Sequence, residues 1–268
     1  NSIGHTAILV FLAFLCAGCF YYCIKHEAAW SANKTQSPNT LFDYGLLLGC
    51  LSFISIIGYL LYQFNFFGNR YGLASFIPML LLFVSAYYFD NIGILCMGIT
   101  NLAAWLGISV TPLEILKAND FNSGTIIITA LLLGVLLIAA AWFTRHKKIK
   151  KHFEFTYTNF GMHILFIATI AAMFHFEKIY LLWFIVLSGI AFYFYLQALT
   201  NRSFYTLLVT ALYAYIGLSY VVIQILMLMN WYNLVPVYLG LIYFIASGIF
   251  LVIFLMRSNK KLKTDDSI

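Results

Sequence analysis

Charge is what this sequence has least of. Only 9% of its 268 residues are Asp, Glu, Lys or Arg, whereas 63% are hydrophobic. Soluble domains carry about 25% charged residues and about 45–50% apolar ones. A chain of this composition cannot cover its apolar surface with polar groups, so the scarcity of charge excludes a water-soluble fold. The solvent of its outer surface must be lipid.

Sequence motifs for chemistry are also lacking. The chain has no Walker loop, dinucleotide fingerprint, HExxH motif or nucleophile elbow. No charge falls near the centre of an apolar run, which argues against a proton- or sodium-coupled transporter because such relays use intramembrane charges. These absences predict a protein that is not an enzyme, with no catalytic residues, no metal and no cofactor. The net charge of +6 is confined to a few loops and does not indicate nucleic acid as a partner.

Long apolar runs are what the chain has instead. A membrane helix needs about 20 apolar residues, and continuous apolarity excludes barrel strands, which alternate polar and apolar positions. The sequence therefore predicts an all-α bundle, one integral membrane domain over 1–268 with the lipid bilayer as its partner. The nine predicted spans are Ala7–Ile24, Phe42–Tyr62, Leu73–Phe89, Ile92–Val110, Thr125–Phe143, Phe160–Phe176, Tyr180–Leu199, Phe204–Met229 and Leu234–Met256.

The basic residues predict the orientation of the bundle. With nine spans, twelve of the fifteen Lys and Arg residues lie on one side and three on the other. Positive charge is retained on the cytoplasmic side, which puts the C-terminus in the cytoplasm. The same count puts residue 1 outside, so we expect one further helix upstream in the natural protein.

Four polar or helix-bending residues are candidates for lining a cavity. Asn101 lies near the middle of the fourth span, Gln224 in the outer third of the eighth and Gln63 at the end of the second. Pro78 inside the third span frees a backbone carbonyl and predicts a kink. Amides in lipid usually bond to a neighbouring helix, so interhelical bonding and a substrate contact both remain open for these three amides.

The basic loop between the fifth and sixth spans is a candidate for lipid contact. Its cations could bind anionic headgroups at about 1 kcal/mol each, or could serve only to set the topology. We expect His146 and His152, which flank this loop, to be solvated. The headgroup candidates are Arg145, Lys147, Lys148, Lys150 and Lys151.

A stripe of possible metal ligands runs along the first span. Cys16, Cys19, Cys23 and His26 share one helix face, but they extend over about 15 Å, whereas zinc ligands all lie within about 2.3 Å of one ion. Cysteine inside an apolar run usually behaves as a small hydrophobe. Packing is therefore the expectation for this stripe.

The polar, glycine and proline residues between and within the apolar runs are similar to those of one known family. The segments GCLSFISIIGYLLYQFNFFGNRYGLASFIP, AYYFDNIGILCMGITNLAAWLGISVTPLEILKANDF and FEFTYTNFG resemble the bacterial predicted membrane protein family of unknown function (domain of unknown function twenty-one fifty-seven). The resemblance implies a multi-pass protein of a bacterial inner membrane, with an upstream cytoplasmic segment and a further helix. It implies no catalytic or binding residues. It rests on Gln63, Asn65, Gly68, Arg70, Tyr71, Gly72, Asp90, Asn101, Trp105, Thr111 and Pro112.

Two functions are consistent with these features. The first is a non-enzymatic scaffold or sensor that acts through helix packing and cytoplasmic loops, with other membrane proteins as partners. The alternative is an uncoupled transporter or lipid-handling protein whose cavity is lined by Asn101, Gln63 and Gln224 and kinked at Pro78.

Overall fold

The computed structural model describes residues 2–27, 30–68, 71–110, 123–229 and 235–264. Within these ranges the chain forms nine long α-helices, each apolar enough to cross a membrane, and no strand. The all-α, nine-helix fold predicted from the sequence is confirmed, and the chain is an integral membrane protein. The helices are α1 (Ser2–His26), α2 (Thr40–Phe64), α3 (Tyr71–Phe89), α4 (Ile92–Val110), α5 (Gly124–Lys147), α6 (Phe153–His175), α7 (Tyr180–Thr200), α8 (Phe204–Met227) and α9 (Val235–Thr264).

Helices form because lipid offers the backbone no hydrogen bonds, so each peptide group must be satisfied within its own segment. Polar side chains complete the helix ends. The Asn39 side chain accepts a hydrogen bond from the backbone N–H of Phe42 at the start of α2. Ser123 and Ser203 cap α5 and α8 in the same way. Asn65 ends α2 in the left-handed conformation, with φ at 45°, which asparagine tolerates better than most residues.

The sixth helix begins earlier than its predicted apolar span, at Phe153 instead of Phe160. The early turns carry polar residues that the protein itself satisfies. Glu154 lies 3.6 Å from Arg145, and Thr156 and Tyr157 are buried. A span prediction based on apolarity stops where polar residues begin, although a helix that packs against protein does not need to end there.

The chain folds as two compact units, Asn1–His163 and Ile164–Ile268, whose boundary falls within α6. In the first unit α1 packs along α2, and α3 packs along α4. A Cβ atom at Gly49 would lie 3.1 Å from the Cβ of Cys19, so glycine is what lets α1 and α2 approach closely. In the second unit α8 packs against both α7 and α9. The single membrane domain expected from the sequence stays a prediction.

Candidate functional site

The turn between α3 and α4 carries a buried acidic residue, Asp90. Its backbone adopts the left-handed conformation with φ at 57°, which a short polar side chain tolerates. The following residue, Asn91, accepts a hydrogen bond from the backbone N–H of Ile94 and donates one to Asp43. These bonds begin α4 and fix the turn, so the Asp90 side chain has a defined direction.

Three connections of the first unit meet at the Asp90 carboxylate. From the α1–α2 connection, the backbone N–H and the hydroxyl of Thr35 both donate to Oδ2, at 2.5 and 2.8 Å. From the α5–α6 connection, the Lys150 ammonium lies 3.1 Å from Oδ2, and His152 Nε2 lies 2.6 Å from Oδ1. We call Thr35, Asp90, Lys150 and His152 the Asp90 cluster.

The charged members of the Asp90 cluster are shielded from solvent. The side chains of Asp90 and Lys150 are 2% and 1% exposed, and that of His152 is 15% exposed. Taking such charges out of water costs several kcal/mol each, which only close pairing and further hydrogen bonds offset. The burial of this ion pair makes the Asp90 cluster a candidate functional site.

Backbone contacts also fix the position of Lys150. Its N–H donates to the carbonyl of Ala32 at 2.7 Å, and its own carbonyl accepts from Phe153 at 2.8 Å. Its φ of 48° is left-handed, an uncommon conformation for a residue with a Cβ. Its ammonium also lies 6.0 Å from the centre of the Trp30 ring. The α5–α6 connection is thereby attached to the α1–α2 connection at both main chain and side chain.

Electrostatics keep Asp90 ionised. Burial by itself would raise the pKa of Asp90, but the two hydrogen bonds from Thr35, the bond from Lys150 and the charge of His152 together outweigh burial. The pKa of Asp90 is therefore held below its ordinary value.

Aromatic residues pack beside the cluster, where the Phe153 ring contacts His152. Phe153 also packs edge-on against Tyr87 with ring centres 5.2 Å apart, and the hydroxyl of Tyr87 lies 2.9 Å from that of Tyr157. These contacts join the end of α3 to the start of α6. The hydroxyl of Tyr88 donates to Glu27.

The cavity predicted for Asn101, Gln63, Gln224 and Pro78 stays a prediction. Gln224 belongs to the second unit and the other three to the first. Gln63 is exposed, Pro78 is buried within α3, and Asn101 is half-buried. The side-chain oxygen of Asn101 is buried and accepts no hydrogen bond from the described residues.

None of these four residues lines either of two cavities in the described part of the chain. One cavity, of about 510 Å³, is lined by mostly apolar residues of α1, α2 and α3, including Phe20 and Phe53, together with Ser85 and Tyr88. The other, of about 350 Å³, lies between α7, α8 and α9.

The basic loop divides into exposed and buried residues. Arg145, Lys147, Lys148 and Lys151 are exposed, so a headgroup contact stays a prediction for these four. The prediction of a headgroup contact is wrong for Lys150, because its ammonium is enclosed with Asp90 and cannot reach a lipid surface. The prediction that His152 is solvated is also wrong, because its side chain is only 15% exposed. His146 is exposed and stacks on Trp142.

The cysteine stripe of α1 packs against α2. The Cys16 thiol points to the carbonyl of Gly49 at 3.5 Å, and the Cys23 thiol to that of Phe42 at 3.8 Å. In the ranges that the structure describes, no three His, Cys, Asp or Glu residues are grouped so as to bind one metal ion.

No protein-family model, curated protein or solved structure matches this chain. The resemblance to the family of unknown function stays a prediction.

Proposed function

We propose that this protein is a non-enzymatic scaffold or sensor of the bacterial inner membrane, with its C-terminus in the cytoplasm. The observation that supports the proposal best is the burial of the Asp90–Lys150 ion pair at the meeting point of three connections. A buried ion pair contributes little net stability compared with apolar packing, and its best-attested use is to specify one arrangement or to act as a switch. In this protein the arrangement that it specifies is that of the loops.

The charge distribution supports the cytoplasmic assignment. The three connections that meet at Asp90 are all on the side to which the count of basic residues assigns the cytoplasm. Next to the cluster, the basic loop exposes Lys147, Lys148 and Lys151. A partner with an acidic surface would therefore contact cations on a loop whose backbone is held in place by the cluster. Complementary charge of this kind steers association and fixes its register.

The proposal is tested by photocrosslinking in inverted inner-membrane vesicles. A thiol-reactive photocrosslinker attached at Lys148→Cys should give a discrete protein adduct, and Asp90→Asn should abolish that adduct while the protein stays inserted. The control is the same crosslinker at Tyr62→Cys, an exposed position at the other end of α2, where we expect no such adduct. Adducts with lipid alone at Lys148→Cys, or an adduct unaffected by Asp90→Asn, would contradict the proposal.

A further inference from the structure

The second unit contains a groove along α8, between α7 and α9. The groove encloses a cavity of about 350 Å³, and α8 packs against both neighbouring helices. Phe192 of α7 and Phe250 of α9 line the cavity, although their side chains are 64% and 70% exposed. Because exposed rings form its edges, the cavity is open at the side, and a hydrocarbon chain can enter it from the surrounding lipid.

The walls of the cavity suit hydrocarbon and exclude charge. Most of the lining residues are aliphatic or aromatic, and none of the described residues that line it is charged. The exceptions to apolarity are the hydroxyl-bearing residues Tyr195, Thr210, Tyr215 and Ser247. The hydroxyls of Tyr215 and Ser247 lie 3.2 Å apart and satisfy each other. An acyl chain fits such a cavity, whereas an ionised group inside it would have no counter-ion.

The face of α9 that lines the cavity continues into two cations. Phe250, Phe254, Arg257 and Lys261 follow one another at i, i+4, i+7 and i+11, a spacing that places all four on one face of a helix. The two rings line the cavity, and both cationic side chains are exposed. Arg257 lies about 10 Å along the helix from Phe250, and Lys261 about 16 Å. One helix face therefore leads from the open edge of the cavity to a pair of cations.

The two cations lie where lipid headgroups lie. With 30 residues, α9 is about 45 Å long, which exceeds the hydrocarbon core of about 30 Å. Its apolar run ends at Met256, so the basic end extends beyond the hydrocarbon, where Leu262 is buried against α7 and α8. No Asp or Glu belongs to α7, α8 or α9, so no carboxylate of these helices neutralises the cations. The next acidic residues, Asp265 and Asp266, lie outside the described residues.

From the groove and the cations we infer that the second unit binds an anionic phospholipid, with one acyl chain in the cavity and the phosphate at Arg257 and Lys261. The acyl chain itself gains little on leaving the bilayer, because the cavity and the lipid core are both apolar. Selectivity among lipids therefore depends on the headgroup, and each cation at the membrane surface favours an anionic lipid about fivefold. The inference is independent of the proposed function.

The inference is tested with two photoactivatable probes that differ only in the headgroup, a phosphatidylglycerol and a phosphatidylcholine with a diazirine near the middle of one acyl chain. The full chain is reconstituted into phosphatidylcholine vesicles that contain increasing fractions of either probe. Both probes should label peptides within residues 191–254, which line the cavity. The apparent affinity should be about twentyfold higher for the phosphatidylglycerol probe, and Arg257→Gln and Lys261→Gln should each lower this preference about fivefold.

Two further variants control for charge and for the cavity. Lys178→Gln removes an exposed cation just before the start of α7, at the opposite end of the second unit, and should leave the preference unchanged. Ala214→Phe fills the cavity, which Ala214 lines, and should weaken labelling of these peptides by both probes. Because Arg257 and Lys261 are exposed, their replacement by Gln tests the headgroup contact without disturbing the packing of the helices.

Several results would contradict the inference. Equal affinity for the two probes, a preference that survives both glutamine substitutions, or a preference that Lys178→Gln also removes would each overturn it. Labelling that Ala214→Phe leaves unchanged would do the same. Labelling that disappears as chains associate at a high ratio of protein to lipid would assign the groove to a second copy of this chain, and would also overturn the inference.

Discussion

Replacing Asp90 by Asn isolates the contribution of the buried charge. Asn is close in size, tolerates the left-handed backbone at φ 57°, and can still accept a hydrogen bond from Thr35. What the substitution removes is the negative charge that faces Lys150, whose side chain is 1% exposed. Removing one partner of a buried pair costs about 3–5 kcal/mol, because the other charge is left buried and uncompensated. We expect Asp90→Asn to lower the free energy of unfolding by that amount.

The pairing is measured with a double-mutant cycle. Lys150→Met removes the cation and keeps the length of the side chain. If Asp90 and Lys150 stabilise each other, the double variant should be more stable than the sum of the two single changes predicts, by about 2–3 kcal/mol. The assay is unfolding of the purified protein by sodium dodecyl sulfate in mixed micelles, followed by circular dichroism.

A matched control is Asp43→Asn. Asp43 lies on the same side of the first unit and accepts one hydrogen bond, at 3.0 Å from Asn91, but no cation is paired with it in the described structure. Loss of its charge should cost at most about 1 kcal/mol. The reasoning is refuted if Asp90→Asn costs no more than Asp43→Asn, or if the single changes at Asp90 and Lys150 are additive.

Three further predictions concern pH, packing and topology. The pKa of Asp90 is lowered in the fold, so its stabilising contribution is complete above the ordinary value of 3.8 and is lost as the pH falls through the lower folded value. The stability difference between the parent and Asp90→Asn should therefore shrink only below about pH 4 in detergent unfolding experiments. Gly161→Ala should lower the free energy of unfolding by about 1–3 kcal/mol, because its Cβ would lie 2.8 Å from Ile138 and 3.2 Å from a backbone oxygen. The control is Gly189→Ala in α7, where a Cβ would meet no atom within 4 Å; this change should leave the free energy of unfolding unchanged or raise it in the same assay. In intact spheroplasts, Lys148→Cys should resist a membrane-impermeant thiol reagent and should react after lysis; labelling before lysis would reverse the predicted orientation.

The helices could be predicted from the sequence because each depends on a contiguous run of residues. Twenty apolar residues in lipid have few alternatives to a helix, and Asn or Ser at the ends of the runs marks several boundaries, as at Asn39 and Ser203. The start of α6 was missed because its polar early turns are satisfied by protein instead of water.

The Asp90 cluster could not be predicted because its members are far apart in the sequence. Thr35, Asp90 and Lys150 lie in three different connections, and no spacing rule relates them. Lys150 in particular has the same immediate sequence context as its exposed neighbours Lys148 and Lys151. What distinguishes it is its backbone hydrogen bond to Ala32 and its ion pair with Asp90, two partners that only the folded chain brings near. One signal was available: a lone acid in a tight turn on the side of the bundle that is richest in Lys and Arg.

The cavity of the second unit was missed for a different reason. Its walls are mostly apolar residues of three helices. A cavity depends on how side chains of α7, α8 and α9 fail to fill the space between them, which apolar periodicity does not encode.

The central claim is that the Asp90 cluster holds the connections of the first unit in one arrangement. It is tested most directly by electron–electron distance measurement between spin labels at Lys34→Cys and Lys148→Cys, two exposed positions on the connections that meet at Asp90. We predict a narrow distance distribution in the parent, an unchanged one with Asp43→Asn, and a broad one with Asp90→Asn. A distribution that stays equally narrow after Asp90→Asn would contradict the account.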